Sequence, residues 1–247
     1  MEFYVYAILI ASILLVYFFN KQISYKKYAI KKIEVKYKPV TPQNTIITFD
    51  LHDVLVKYDY KAIFNNLWQC DKKFNLFIAL LNPFFLYDVV KLLLQHAVAE
   101  QYIVGLGNKY KRLTPFIPLG IKIANCQKPV PQMLNLLKEL KQTGYTLHLF
   151  SNIGAKILDD FKKQLPDLFQ YLEKVTVPSE KNGYLRKPYQ KAFENFTKQH
   201  NKHNKQIIFI DDKIKNIKTA DKNKIIGILF QNPKQLRETF KSTGIIK

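Results

Sequence analysis

The strongest constraint on the fold of this chain is a set of five short β-rich runs: TIITFDL (45–51), YTLHLFS (145–151), KVTV (174–177), QIIFID (206–211) and IIGILF (225–230). Four of them are apolar at successive central positions rather than alternate ones, so both faces of each strand must be covered. Helical patterns lie between them. PQMLNLLKELKQTG (131–144) puts Met133, Leu134, Leu136, Leu137 and Leu140 on one face, with a proline at its start and a glycine at its end. KPYQKAFENFTKQH (187–200) repeats the pattern with Phe193 and Phe196. Strand–helix alternation with right-handed crossovers predicts an α/β fold, a doubly wound, Rossmann-like parallel sheet built from 45–55 and 129–247.

The interval 56–128 breaks this rhythm. It lacks convincing strands and is helical in pattern, and it reads as a helical cap inserted after the first strand. Its part 76–94 is apolar enough to raise a second membrane contact, but Pro83, Asp88 and Lys91 argue against a span.

Residues 3–19, FYVYAILIASILLVYFF, contain no charge, glycine or proline. As a helix they would reach about 25 Å, close to the thickness of a bilayer core. A secretory signal would carry basic residues before the apolar run and small residues after it. Here Glu2 precedes, and Lys21, Lys26, Lys27, Lys31, Lys32, Lys36 and Lys38 follow. A buried core helix would show a polar face, and this run has none. The expectation is one N-terminal transmembrane helix (1–20), a basic linker (21–44), the N-terminus outside and the rest cytoplasmic. The linker lysines would also favour anionic headgroups.

The formal net charge is +20, from 39 Lys+Arg against 19 Asp+Glu. Nearly all the basic residues are lysines spread along the chain, which argues against nucleic acid as a partner. The two cysteines, Cys70 and Cys126, form neither a zinc pattern nor a disulfide framework. Oligomeric state is left open.

In an open parallel sheet, ligands bind beyond the carboxyl ends of the strands. The first run ends in Asp50-Leu51-His52-Asp53, the second in Ser151-Asn152, and the fourth in Asp211-Asp212 with Asn216 beyond; Lys187-Pro188 opens the helix before that fourth run. Singly, each has a plain reading: Ser151 as a helix cap, the Asp pair as a turn, Lys187 as one more surface lysine.

Together, TFDLHDVLV, GYTLHLFSN, GYLRKPYQKAF and IIFIDDKIKNIKTA closely resemble the four motifs of the haloacid dehalogenase (HAD) superfamily, in order, over 45–230. The interval 56–128 sits where the first cap class of that superfamily places its helical cap. The resemblance implies a phosphohydrolase with Mg²⁺ as cofactor and a small phosphate monoester as substrate. It implies Asp50 as the nucleophile forming an aspartyl-phosphate. Asp50, the backbone carbonyl of His52 and Asp212 become metal ligands, with Asp211 and Asn216 holding the metal or its waters. Ser151 and the Asn152 N–H become phosphate donors, and Lys187 neutralises the transferring group. In the cap, Trp68, Tyr87 and His96 are candidate substrate contacts, though core positions fit them better.

One position departs from the family. Phosphatases of the superfamily usually carry a second Asp two residues after the nucleophile; here it is His52, followed by Asp53. Three readings stay open. His52 replaces that Asp as acid and base; or the domain is a weak or inactive binding or scaffold module at the membrane; or it runs a metal-independent, dehalogenase-like hydrolysis.

Overall fold

The computed structural model describes residues 39–71, 78, 82–85, 87–88, 99–201 and 204–247. The expected anchor and all but the end of the basic linker lie outside them, as do most of 72–98 and His96. No helix among the described residues is long and apolar enough to cross a membrane.

The strands are β1 (Thr45–Phe49), β2 (Val56–Tyr58), β3 (Gln127–Pro129), β4 (Thr146–Phe150), β5 (Lys174–Thr176), β6 (Gln206–Asp211) and β7 (Ile226–Leu229). The helices are α1 (Tyr60–Trp68), α2 (Ala99–Lys109), α3 (Ile117–Ala124), α4 (Pro131–Gln142), α5 (Ala155–Gln164), α6 (Pro166–Phe169), α7 (Gln190–His200), α8 (Ile214–Lys222) and α9 (Pro233–Ser242). Each of the five expected runs forms a strand. They pair in the order β5-β4-β1-β6-β7, and every pairing is parallel.

Successive apolar residues serve opposite faces. Ile47, Phe49, Leu147, Leu149, Ile208 and Ile210 share one core with Met133, Leu136, Leu137 and Leu140 of α4 and Leu236 and Phe240 of α9. The next residue along β4 points the other way: Phe150 stacks on Phe196 of α7 at 4.8 Å and meets Phe193 edge-on at 5.2 Å. A fully buried side chain of this size contributes about 1.5–3 kcal/mol, so both faces are strongly specified. Helix α4 starts at Pro131 and stops before Gly144, whose φ of 92° few other residues adopt cheaply.

From β1 the chain steps to β4 and β5 on one side, then crosses to β6 and β7 on the other. This reversal opens a crevice at the carboxyl end of β1.

Two expectations fail here. The interval 56–128 does contain strands: β2 and β3 form an antiparallel ribbon with Val56 opposite Pro129 and Tyr58 opposite Gln127. Three-residue strands carry too little alternation to read locally, and their partners are distant in sequence. Lys187-Pro188 also does not open a helix; α7 begins at Gln190, leaving Lys187 in the preceding loop.

Candidate active site

Asp50 directly follows β1. Its N–H donates to the Ile210 carbonyl of β6 at 2.9 Å, and the residue is 4% exposed. The loop after it is tight. The Leu51 carbonyl accepts from the N–H groups of Leu55 and Val56 at 2.9 and 3.0 Å, and Leu51, Val54 and Leu55 are fully buried. Asp53 sits at φ 61°, a left-handed conformation that Asp tolerates better than most residues. The resumption of apolar sequence after the charged cluster is thus a plug that locks the loop carrying Asp50 and His52.

Lys187 is 1% exposed. Its ammonium donates to the Phe150 carbonyl at 2.7 Å and to Asp211 Oδ2 at 2.7 Å, and lies 3.0 Å from Asp50 Oδ1. Its charge also lies over the rings of Phe209 and Phe150, at 5.0 and 5.4 Å. Three acceptors match the three hydrogens of an ammonium, so Lys187 fixes the Asp50 carboxylate as well as balancing charge. Asn152 secures its backbone from both sides: Asn152 Oδ1 accepts from the Lys187 N–H at 2.8 Å and Asn152 Nδ2 donates to the Lys187 carbonyl at 2.7 Å. The side chain of Asn152 is therefore a clamp on the lysine loop, a role the sequence did not reveal.

Asp211 ends β6 and Asp212 follows it; both are buried. Asp211 accepts from Lys187, from Asn216 Nδ2 at 2.8 Å and from the Lys213 N–H at 2.7 Å. One oxygen from each of Asp50, Asp211 and Asp212 lies within 4.8 Å of the other two. Burial pushes Asp211 up to about 7 against the pull of Lys187, with the charges of Asp50 and Asp212 adding to the rise. Burial also pushes Asp50 up, but Lys187, Lys213 and His52 outweigh it and hold its carboxyl below the ordinary carboxylate value. The two carboxyls are thus pushed in opposite directions, Asp50 down by the surrounding cations and Asp211 up by burial.

This donor set fits a hard divalent cation. Three buried carboxylates crowd one buried ammonium, and the Asn216 Oδ1 and Ser151 Oγ beside the strand ends are buried with no hydrogen-bond partner among the described residues. Asp211 already receives three donors, so Asp50 and Asp212 are the carboxylates that would face the ion, with Asp211 and Asn216 behind them.

His52 turns toward the β2–β3 ribbon. Its Nδ1 lies 2.7 Å from Gln127 Oε1, and Gln127 Nε2 donates to the Ala124 carbonyl at 2.9 Å. Because Nε2 of Gln127 is the donor to that carbonyl, its oxygen faces the imidazole, and Nδ1 of His52 carries the hydrogen. The Nε2 lone pair of His52 is left as the acceptor. Burial lowers the imidazole's proton affinity despite the opposing pull of Asp50 and the Gln127 bond. Gln127 was not foreseen from sequence: it lies 75 residues away in a strand that no local pattern marks. Trp68 and Tyr87, better suited to the core by sequence, are 65% and 66% exposed.

The doubly covered parallel sheet thus carries a carboxylate at the end of its central strand, paired to a buried lysine and grouped with two further carboxylates. The model of the haloacid dehalogenase-like hydrolase family matches residues 117–229. No curated protein matches the chain. Among solved structures, a HAD family enzyme of Bacteroides thetaiotaomicron matches with a TM-score of 0.56 and 19% identity, covering 82% of this chain and 99% of that one. The same enzyme in complex with magnesium and inorganic phosphate matches with a TM-score of 0.50 and 18% identity, over 76% of this chain and 94% of that one. L-2-haloacid dehalogenase of Xanthobacter autotrophicus, with chloropropionic acid covalently bound, matches with a TM-score of 0.52 and 12% identity, over 83% and 84%. At these identities the likeness establishes the fold.

Proposed function

We propose that this chain is a Mg²⁺-dependent phosphohydrolase acting on a small phosphate monoester through an aspartyl-phosphate at Asp50, tethered to a membrane by residues 3–19 with its catalytic part on the lysine-rich, cytoplasmic side. The observation that carries the chemistry is the buried cluster in which Lys187 Nζ lies 3.0 Å from Asp50 and 2.7 Å from Asp211, with Asp212 in the same carboxylate group. The magnesium and phosphate bound by the Bacteroides enzyme support the same reading.

Asp50 is ionised and fixed, so it is ready to attack. An Asp50 oxygen bonds to phosphorus as the P–O bond to the alcohol breaks, and the departing alkoxide takes a proton from solvent. A Mg²⁺ ion held by Asp50 and Asp212 would offset the repulsion between carboxylate and phosphate dianion. Ser151 Oγ is a buried hydroxyl free to donate to a phosphate oxygen, and the Asn152 N–H stands beside it in sequence. In the second step, a water gives its proton to Nε2 of His52 as its oxygen bonds to phosphorus, and the bond from phosphorus to Asp50 breaks. The Gln127 contact presents the lone pair for that step. His52 thus takes the base role of the family's second Asp.

The test is a phosphate-ester screen of the full chain with Mg²⁺ or with EDTA. Wild type is expected to turn over at least one ester only with Mg²⁺, and Asp50→Asn to lose at least ~10⁴-fold in rate, as loss of a nucleophile does. Asp50-dependent chloride release from a 2-haloacid, unaffected by EDTA, would establish the dehalogenase-like reaction instead. Mg²⁺ binding without any Asp50-dependent turnover would leave a binding module.

A further inference from the structure

Helix α1, the first of the inserted segment, is built inside out. Ala62, Ile63, Asn66 and Leu67 are partly buried on its inner side, while Tyr60, Phe64 and Trp68 point outward at 77%, 62% and 65% exposure. Their spacing of four places them in one stripe along the helix. The Phe64 and Trp68 rings stack at 5.9 Å, and Tyr58 continues the stripe 6.5 Å from Tyr60. Single exposed apolar residues are ordinary, but a contiguous run of four large aromatics marks a contact surface.

The chemistry of this surface selects a partner. Tyrosine and tryptophan have an apolar body and a polar edge, the combination favoured between lipid chains and water. The flanks are basic. Lys57 and Lys61 are exposed on either side of the helix start. Of the two acids flanking the helix, Asp71 is exposed beyond its end, while Asp59 is engaged: its Oδ1 accepts from the Lys61 and Ala62 N–H groups, and its Oδ2 lies 3.8 Å from Lys128 Nζ. The helix itself contains no acidic residue. The chain also carries the uncharged run 3–19, and the residues between it and β1 could extend up to ~85 Å, enough for any face of the domain to reach the surface holding that run.

We propose that the Tyr60–Phe64–Trp68 face of α1 docks into the headgroup layer of a bilayer containing anionic lipid. The aromatic rings enter the boundary with the acyl chains, and Lys57 and Lys61 meet the phosphates. This deepens the membrane reading above but stands on residues separate from the anchor and from the active site.

Trp68 is the chain's single tryptophan, so its fluorescence reports on this face alone. The full chain is incorporated into vesicles of phosphatidylcholine and phosphatidylglycerol and quenched either by acrylamide from the water or by brominated acyl chains from the bilayer. Brominated lipid is expected to quench Trp68. Acrylamide quenching is expected to be several-fold weaker than for the Tyr60→Ser/Phe64→Ser variant in the same vesicles. Both substituted residues are exposed, and an unchanged thermal melt shows that the variant folds. If the chain floats with the vesicles while Trp68 stays open to acrylamide and untouched by bromine, the docking face is refuted and the anchor survives. If the chain does not float, both membrane readings fall. Protection from acrylamide without bromine quenching, growing with protein density, would assign the face to a second copy of this chain and refute the proposal. None of these readouts depends on phosphatase activity.

Discussion

Replacing Lys187 with methionine keeps the length of the side chain and removes its charge. Three acceptors lose their donor: the Phe150 carbonyl at 2.7 Å, Asp211 Oδ2 at 2.7 Å and Asp50 Oδ1 at 3.0 Å. Both carboxylates are buried, at 4% exposure for Asp50 and 0% for Asp211, so water does not replace the ammonium. Removing one partner of a buried ion pair costs about 3–5 kcal/mol. The orphaned carbonyl adds about 1 kcal/mol. In a domain of this size, that corresponds to a fall of about 8–24 °C in Tm. The loss is expected to be smaller at pH 6 than at pH 8, because Asp211, already at about 7, is the group that accepts a proton once the cation is gone. Thermal melts in EDTA at the two pH values measure both effects. The double variant Lys187→Met/Asp211→Asn is expected to recover about 1–3 kcal/mol relative to the sum of the two single changes. A Lys187→Met protein that melts within a degree of wild type at pH 8, with additive single and double changes, would refute the reading of this cluster as a charge-compensated core.

Three further outcomes are expected. Gln127→Leu removes the acceptor that fixes the His52 tautomer and should slow release of phosphate from the aspartyl-phosphate by about tenfold or more, with no additional effect in a His52→Ala background; single-turnover kinetics separate that step from attack. His148, buried under the sheet 5.6 Å from His200, is lowered to about 4 by burial first, then by the neighbouring His200 charge. Since the unfolded chain binds that proton near the ordinary value, its contribution is intact at neutral pH and is lost as pH falls from about 6.5 toward 4, amounting to about 2 kcal/mol by pH 5; urea titrations from pH 8 to 5 should show the loss, and His148→Phe should flatten it. Gly227→Ala in β7 would place a methyl 2.6 Å from Ile217 Cγ2 and 2.9 Å from Asp221 Oδ1, and should cost about 1–3 kcal/mol in the same titration without altering Mg²⁺ binding.

The five buried strands and the helices between them were legible in the sequence because their signals are local. A strand covered on both faces must be apolar at successive positions, and a helix on a sheet must repeat its apolar residues every three or four. Asp50, Ser151, Asp211 and Asp212 were marked for a related reason: charged or polar groups at the ends of apolar runs have few places to go other than a shared crevice, whereas Lys187 was marked only by the family resemblance. The tertiary structure decided what depends on distance through space. It fixed the state of Lys187, whose three hydrogens are all taken by the protein. It put the side chain of Asn152 on the lysine loop as a clamp, and pushed the carboxyls of Asp50 and Asp211 in opposite directions. It drew Gln127 from a three-residue strand to set the tautomer of His52, the position at which the motif departs from the HAD pattern it resembles. It also turned Tyr60, Phe64 and Trp68 outward, where composition favours the core. Periodicity tells which residues share a face of an element, but the direction of that face depends on the surface it packs against, and only the assembled fold supplies it.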